Sequence, residues 1–337
     1  MSAAGPSGAE RWHVDPLPPM EVDGDRSRLG VLVMAYGTPR SLDEVEAYYT
    51  HIRRGNAPTP EQLADLVRRY EAIGGVSPLA ERTEAQRQAI SAALDARGVE
   101  HLVVLGQKHA EPYIEDGIAR LAAAGVQQVV GLVLAPHWSG FSVGQYHARA
   151  SAAAAEHGLA YEEVGSWHLE STYVDFLADA VREAQATLPT KHKVVFTAHS
   201  LPERVLVDDP YPDQLRASAA AVAGKVGLAE WAGWGLAWQS AGRTPEPWRG
   251  PDILEVIRDL AETGRSDGIL VCAQGFVSDH LEVVYDLDIE AKALADEVGL
   301  AFARTRSLND HPPVMAALAD RVLAAVALSS FDAEHQT

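Results

Sequence analysis

Short, unbroken apolar runs alternate along this chain with longer stretches whose apolar positions recur every three or four residues. Runs of the first kind mark 30–35, 101–105, 128–134, 193–198, 233–238, 268–272 and 300–304, and a short, more polar strand is expected over 160–164. Apolar on consecutive positions, they read as strands buried on both faces, the texture of a parallel sheet. The periodic stretches predict helices over 42–53, 60–70, 80–96, 113–124, 143–156, 172–187, 213–226, 253–263, a stretch after Cys272, and 312–327. Ser41 with Glu44 has capping-box spacing ahead of the first, and Thr59 precedes the second. This alternation predicts an α/β fold with parallel sheets wrapped by helices. About four strands precede Trp167 and about four follow it, so two similar, doubly wound, four-stranded halves are expected, 28–166 and 167–310. A C-terminal helix is expected over 311–328. Residues 1–27, rich in Gly, Pro, Ser and Asp without periodicity, are expected to be a disordered tail, with Trp12 and the prolines at 16–19 as a weak docking segment.

The densest chemistry follows the run at 268–272, where GFVSDHLEVVYDLDIE spans 275–290. Its apolar residues Leu281, Val284, Tyr285 and Ile289 predict a helix, on which Glu282, Asp286 and Glu290 stand at i, i+4 and i+8. In an α-helix these carboxylates stay within an arc of roughly 80° and rise about 12 Å. Oxygen ligands on one track suit a divalent cation passed along it. A solvated acidic face has the same spacing, and what sets this one apart is its company. In doubly wound sheets, ligands bind beyond the carboxyl ends of the strands. Tyr36, His109, His137, His199 and Gln239 all stand just past predicted strand ends.

His199 can take a proton near neutrality or ligate a borderline metal, and across a cleft from Glu282 it is a candidate for both. His109 and His137 have weaker claims. Tyr36 offers either a hard phenolate donor for ferric iron or a plain cleft-wall aromatic. Arg53–Arg54 and Arg68–Arg69 close two helices, where guanidinium groups bind carboxylates bidentately or complement the helix dipole. Ser77, in a Gly-Gly-Val-Ser-Pro loop, adds a hydroxyl.

Composition narrows the field. A net charge of −19 over 337 residues disfavours nucleic acid, whose phosphates need a basic face. It also means that an anionic substrate must be held by a local basic patch. The single cysteine, Cys272, reads as a core residue and builds neither an internal disulfide nor a four-cysteine cluster. There is no apolar run of about 18 residues and no basic N-terminus leading into an apolar core. The expectation is therefore a cytoplasmic protein without an integral membrane segment. No GxGxxG opening a helix, Walker loop, HExxH or GxSxG is present, which weakens dinucleotide, nucleotide and hydrolase readings.

Long, ordered segments then point to a family. LVMAYGTP (32–39), YYTHIRRG (48–55), RRYEAIGGVSPL (68–79), QKHAEPYIED (107–116), LAPHWSGFSVGQY (134–146), TAHSLPE (197–203), DPYPDQL (209–215), WQSAGRTPEPWRGPD (238–252) and GFVSDHLEVVYDLD (275–288) resemble those of ferrochelatases. The likeness is strongest to the coproporphyrin type of Gram-positive bacteria and covers about residues 29–327. It implies two Rossmann-like, class II chelatase-like domains around a porphyrin cleft, and insertion of Fe2+ into coproporphyrin III to give coprohaem in haem synthesis.

By motif match the resemblance makes His199 and Glu282 the metal-binding, proton-handling pair, and Tyr36 the residue axial to porphyrin iron. Arg53, Arg69, Tyr70, Ser77 and Tyr146 become porphyrin contacts, and Asp286 and Glu290 a delivery track, which a local π-bulge would align further. Many actinobacterial relatives carry four cysteines for a [2Fe–2S] cluster; with Cys272 alone, no cluster and no cofactor beyond substrate Fe2+ is expected. A monomer is expected, with a coprohaem decarboxylase as downstream partner. Gln274 departs from the family, standing where relatives usually have an apolar residue.

Overall fold

The computed structural model describes residues 28–229, 232–242 and 244–335; the stretch 1–27, with Trp12 and the prolines at 16–19, lies outside them. Two all-parallel sheets form. The first joins β1 (Leu29–Ala35), β2 (His101–Gln107), β3 (Gln128–Val133) and β4 (Ala160–Val164) in the order β2-β1-β3-β4. The second joins β5 (His192–His199), β6 (Trp234–Gln239), β7 (Gly268–Cys272) and β8 (Ala301–Arg304) in the order β6-β5-β7-β8. The first strand of each half is thus paired on both sides. Its composition follows: Val31, Leu32, Val33 and Met34 are all fully buried, as are Val194 and Phe196. The edge strand β4 carries Glu162 and Glu163 instead, as an edge open to water permits.

Helices α1 (Val45–Ile52), α2 (Pro60–Ala72), α3 (Leu79–Asp95), α4 (Ile114–Ala123) and α5 (Val143–Glu156) belong to the first half. The second carries α6 (Ser171–Gln185), α7 (Tyr211–Val226), α8 (Ile253–Thr263), α9 (Leu281–Val283), a π-helical segment (Val284–Ala291), α10 (Lys292–Glu297) and α11 (Pro312–His335). Thr59 and Gln62 form the capping box of α2, which starts on Pro60, and Asp252 with Glu255 caps α8 in the same way.

Some local expectations change. The stretch expected as one helix over 42–53 is a 3-10 turn (Leu42–Glu44) followed by α1. Ser41 makes no side-chain cap; the Glu44 carboxylate instead accepts from the Arg40 N–H at 2.7 Å. The plain α-helical ladder gives way to the local π-bulge that was also expected: Asp286 and Glu290 fall in the π-helical segment. Helix α11 runs on past Ala327 to His335.

The halves are not independent bodies. One core contains Val31 and Val33 of β1, Ile90 and Leu94 of α3, Phe176 of α6, Phe196 of β5, and Val314, Leu318 and Val322 of α11. The last helix therefore returns from the second half to pack on the first, and the two sheets share buried apolar surface. Separate cores lie on the outer faces, one under α4 and α5 and one under α8 and α10. In each sheet the chain reverses direction of addition between its first and third strands, β1 and β3 in one, β5 and β7 in the other. Ligands bind at such switch points. Tyr36 and His137 follow β1 and β3; His199 ends β5 and Glu282 follows β7.

Candidate active site

A cleft of about 1420 Å³ lies between the two halves, above the roughly 300–1,000 Å³ of ordinary small-ligand sites. Tyr36, Arg69, Tyr70, Ser77 and Tyr146 line it from the first half, and His199, His280, Glu282 and Asp286 from the second.

The reactive wall is built by β5 and the connection after β7. Gly275 lies directly over Ala198, where an added Cβ would stand 2.5 Å from the alanine Cβ, and its N–H donates to the Thr197 carbonyl at 3.0 Å. Only glycine permits this approach. It brings the second connection beside His199. The His199 Nδ1–H donates to the Ser200 carbonyl. A carbonyl oxygen only accepts, so neutral His199 leaves Nε2 bare. That nitrogen stands 3.6 Å from Glu282 Oε1. His280 repeats the arrangement: its Nδ1–H donates to the Ser278 carbonyl at 3.0 Å, and its Nε2 stands 3.6 Å from Glu282 Oε2. Two imidazoles thus address the two oxygens of one carboxylate. The side chains of His199 and Glu282 are 34% and 37% exposed, open to the cleft.

Electrostatics follow from this geometry. Burial alone raises the Glu282 carboxyl, but the facing His199 and His280 outweigh it and hold Glu282 well below the usual range. Burial alone lowers His199; the Glu282 charge and hydrogen bond more than reverse this and raise it to about 8. Gln239 donates to the Glu282 backbone carbonyl at 3.1 Å, and the Ser240 hydroxyl donates to Asp286. Arg69 stands 3.4 Å from the other Asp286 oxygen, with its guanidinium 4.8 Å from the centre of the Tyr285 ring. Burial, then the Glu282 charge, pushes Asp286 up to about 7 against these two partners.

On the first half, the Tyr36 ring lies 4.6 Å from that of His109, which hydrogen-bonds His51 at 3.0 Å. The enclosing walls and then the Glu282 charge raise the Tyr36 phenol, so it stays protonated at neutral pH. Tyr48 donates to the Gly37 carbonyl at 3.0 Å, and Tyr70 meets Thr38 at 3.3 Å. Lys108 lies 5.0 Å from the Tyr146 ring and donates to Gln145 at 2.8 Å. Burial, then Arg149 and Arg54, lowers Lys108 to about 8. A buried amine among other cations is a place where an anion is favoured.

The ferrochelatase family model matches residues 28–326. The chain belongs to the ferrochelatase family. It is 44% identical over 300 residues to the coproporphyrin III ferrochelatase of Halalkalibacterium halodurans, covering 87% of this chain and 96% of that one. It is likewise 44% identical over 306 residues to the coproporphyrin III ferrochelatase of Bacillus subtilis, covering 88% and 98%. Among solved structures, SirB from Bacillus subtilis with Fe3+ matches with a TM-score of 0.55 and 12% identity over 90% of this chain and 97% of its own. The sirohydrochlorin chelatase SirB in complex with cobalt gives 0.51 at 10% identity over 92% and 98%. At these identities the likeness concerns the fold alone, which this chain shares with those two SirB structures.

For this family member, the structure brings together His199, Glu282, Asp286, Tyr36, Arg69, Tyr70, Ser77 and Tyr146 around one cleft. Ser77 is buried, and its hydroxyl accepts the Leu79 N–H at 3.2 Å, which ties it to the start of α3. Arg53 stands one layer behind the lining: it donates to the Asn56 carbonyl at 3.1 Å and lies 5.5 Å from the ring of Tyr49, which lines the cleft. Its neighbour Arg54, with φ 56, lines the cleft directly. Glu290 lies beyond the cleft lining but close enough to raise Asp286. Sequence reasoning passed over His280, Ser240 and Lys108. His280 was legible in principle: it is extended, with φ −158 and ψ 179, two residues before Glu282, and extended backbone repeats its side every second residue. Among the described residues, no group of three or more His, Cys, Asp or Glu is arranged to hold a metal ion. No helix among them is long and apolar enough to cross a membrane.

Proposed function

We propose that this chain inserts Fe2+ into coproporphyrin III to give the iron complex, coprohaem, the activity for which its relatives are named. The observation that carries the reading is the bare Nε2 of His199 at 3.6 Å from Glu282, open to a cleft whose other wall bears Tyr36. Insertion exchanges the two pyrrole N–H protons for Fe2+. Neutral His199 takes the two protons in turn at Nε2, shedding the first before it takes the second, and the Glu282 carboxylate stabilises the imidazolium. Before it is protonated, the same Nε2 and the Glu282 carboxylate offer one nitrogen and one oxygen to the incoming ion, a donor set suited to a borderline metal whose release frees Nε2 for the proton. Asp286, at about 7, exchanges protons readily at neutral pH and sits between Glu282 and Glu290. It relays protons outward and receives Fe2+ inward, with Glu290 at the outer end. Tyr36 meets the macrocycle from the first half.

The cations explain the substrate. Arg54, Arg69, Lys108 and Arg204 line the cleft of a chain whose net charge is −19. Coproporphyrin III carries four propionates, whose carboxylates are the natural partners for such groups. Anaerobic Fe2+ insertion, followed by loss of porphyrin fluorescence with coproporphyrin III and protoporphyrin IX side by side, tests the reading. Faster turnover of coproporphyrin III supports it. The reverse preference assigns the protein to protoporphyrin, and no turnover of either removes the activity.

A further inference from the structure

The connection between β7 and α9 carries Glu282, yet residues 273–280 belong to no helix or strand. A catalytic carboxylate needs its position fixed to within about 0.5 Å, so something other than regular structure must hold this connection. Gln86, in the middle of α3 on the first half, does so. It is fully buried and makes a complete set of contacts. Its Nε2 donates to the Asn309 carbonyl at 3.0 Å and reaches the Val277 carbonyl at 3.5 Å, while its Oε1 accepts from the Ser278 hydroxyl at 3.2 Å.

The chain of contacts continues to the reactive wall. The Ser278 carbonyl accepts the His280 Nδ1–H at 3.0 Å, and His280 Nε2 faces Glu282 at 3.6 Å. Asn309, in the left-handed region with φ 48, clasps the same connection from the other side. Its N–H donates to the Val277 carbonyl at 2.7 Å, and its amide donates to Asp279 at 3.0 Å. A buried primary amide is costly unless every atom is satisfied. Here the satisfied amide crosses from one half of the molecule to the segment that carries the carboxylate of the other.

We propose that Gln86 is a positioning residue for metal insertion: through Ser278 and His280 it holds Glu282 in register with His199 across the junction of the two halves. The inference rests on the reading above for its assay. Because Gln86 also borders the cleft, substrate contact is the competing role, and kcat and KM separate the two. Gln86→Met keeps the volume and removes the hydrogen bonds.

The expected result is a kcat for Fe2+ insertion lowered at least tenfold, with the KM and Kd for coproporphyrin III within about twofold of wild type. Arg97→Gln is the control. Arg97 lies just past the end of α3, donates to the Ala93 carbonyl of that helix and pairs with the Asp320 carboxylate on α11, away from the cleft; its loss should lower Tm and leave kcat within twofold. Ser278→Ala, which deletes only the donor to Gln86 Oε1, should lower kcat about threefold and serves if Gln86→Met does not fold. Unchanged kcat in both Gln86→Met and Ser278→Ala overturns the proposal. So does a rise in KM with kcat intact, or an equal loss of kcat in Arg97→Gln. A wild-type protein that inserts no iron overturns the functional reading and this role with it, whereas an active wild type with an unimpaired Gln86→Met overturns this role alone.

Discussion

Gly275 rests on Ala198 with no room for a side chain: a Cβ there would stand 2.5 Å from the Ala198 Cβ and 2.7 Å from its Cα. Ala198 directly precedes His199, and Gly275 opens the connection to Glu282, so this contact sets the spacing of the reactive pair. Gly275→Ala should cost about 1–3 kcal/mol of stability by overpacking. It should also lower kcat more than a destabilisation of that size elsewhere does. Thermal unfolding and steady-state insertion assays measured together check both parts; wild-type kcat in a folded Gly275→Ala protein would show that the approach is incidental.

Removing the base should stop the chemistry and spare binding. His199→Ala is expected to reduce Fe2+ insertion by at least 10²-fold, the lower range for a general base, while coproporphyrin III still quenches intrinsic fluorescence with near wild-type affinity. The Tyr36 wall and the lining cations remain in that variant. Insertion at the wild-type rate would remove His199 from the reaction.

The pH profile should carry the signature of the pair. Glu282 raises His199 to about 8, so the imidazole is protonated below that pH and bare above it. If the bare form takes the pyrrole proton, kcat/KM rises as pH rises through about 8 and levels off beyond. Glu282→Gln removes the opposing charge and leaves burial, which lowers His199, in control. Its residual activity should therefore titrate at a pH lower by more than about one unit, the scale of a close charge pair. An unshifted limb in Glu282→Gln would assign the titration to another group.

Lys108 should act on the substrate's carboxylates rather than on its metal. Its amine is pulled down to about 8 by burial, then by Arg149 and Arg54, and a propionate would relieve that repulsion. Lys108→Met is expected to raise the KM for coproporphyrin III by roughly 10–100-fold, the loss of a charge-assisted hydrogen bond of about 1.5–3 kcal/mol. The KM for protoporphyrin IX, with two fewer propionates, should change less. Equal effects on the two porphyrins would place Lys108 against the ring.

Much of the architecture was legible in the order of residues, because a segment's apolar pattern reports how deeply that segment is buried. Unbroken runs such as Val31–Met34 and Ile269–Cys272 marked strands covered on both faces. Their alternation with amphipathic stretches marked parallel sheets, and the polar residues after them marked the ligand side. Tyr36 and His199 stood out by that position, Glu282 by its place on the carboxylate ladder, and the roles of all three by the family resemblance.

What remained hidden depends on pairs of segments far apart in the chain. The return of α11 onto the first half and the Gln86 bridge to Ser278 are contacts between elements, and neither partner's local pattern encodes the other. The π-bulge under Asp286 was expected, but its partners Arg69 and Ser240 come from other elements and were not. The sequence by itself determined the fold class, the strand ends and the residue types of the chemistry. The tertiary structure alone decided which of those groups face one another, because a 3.6 Å relation between His199 and Glu282 is set by long-range packing and not by spacing along the chain.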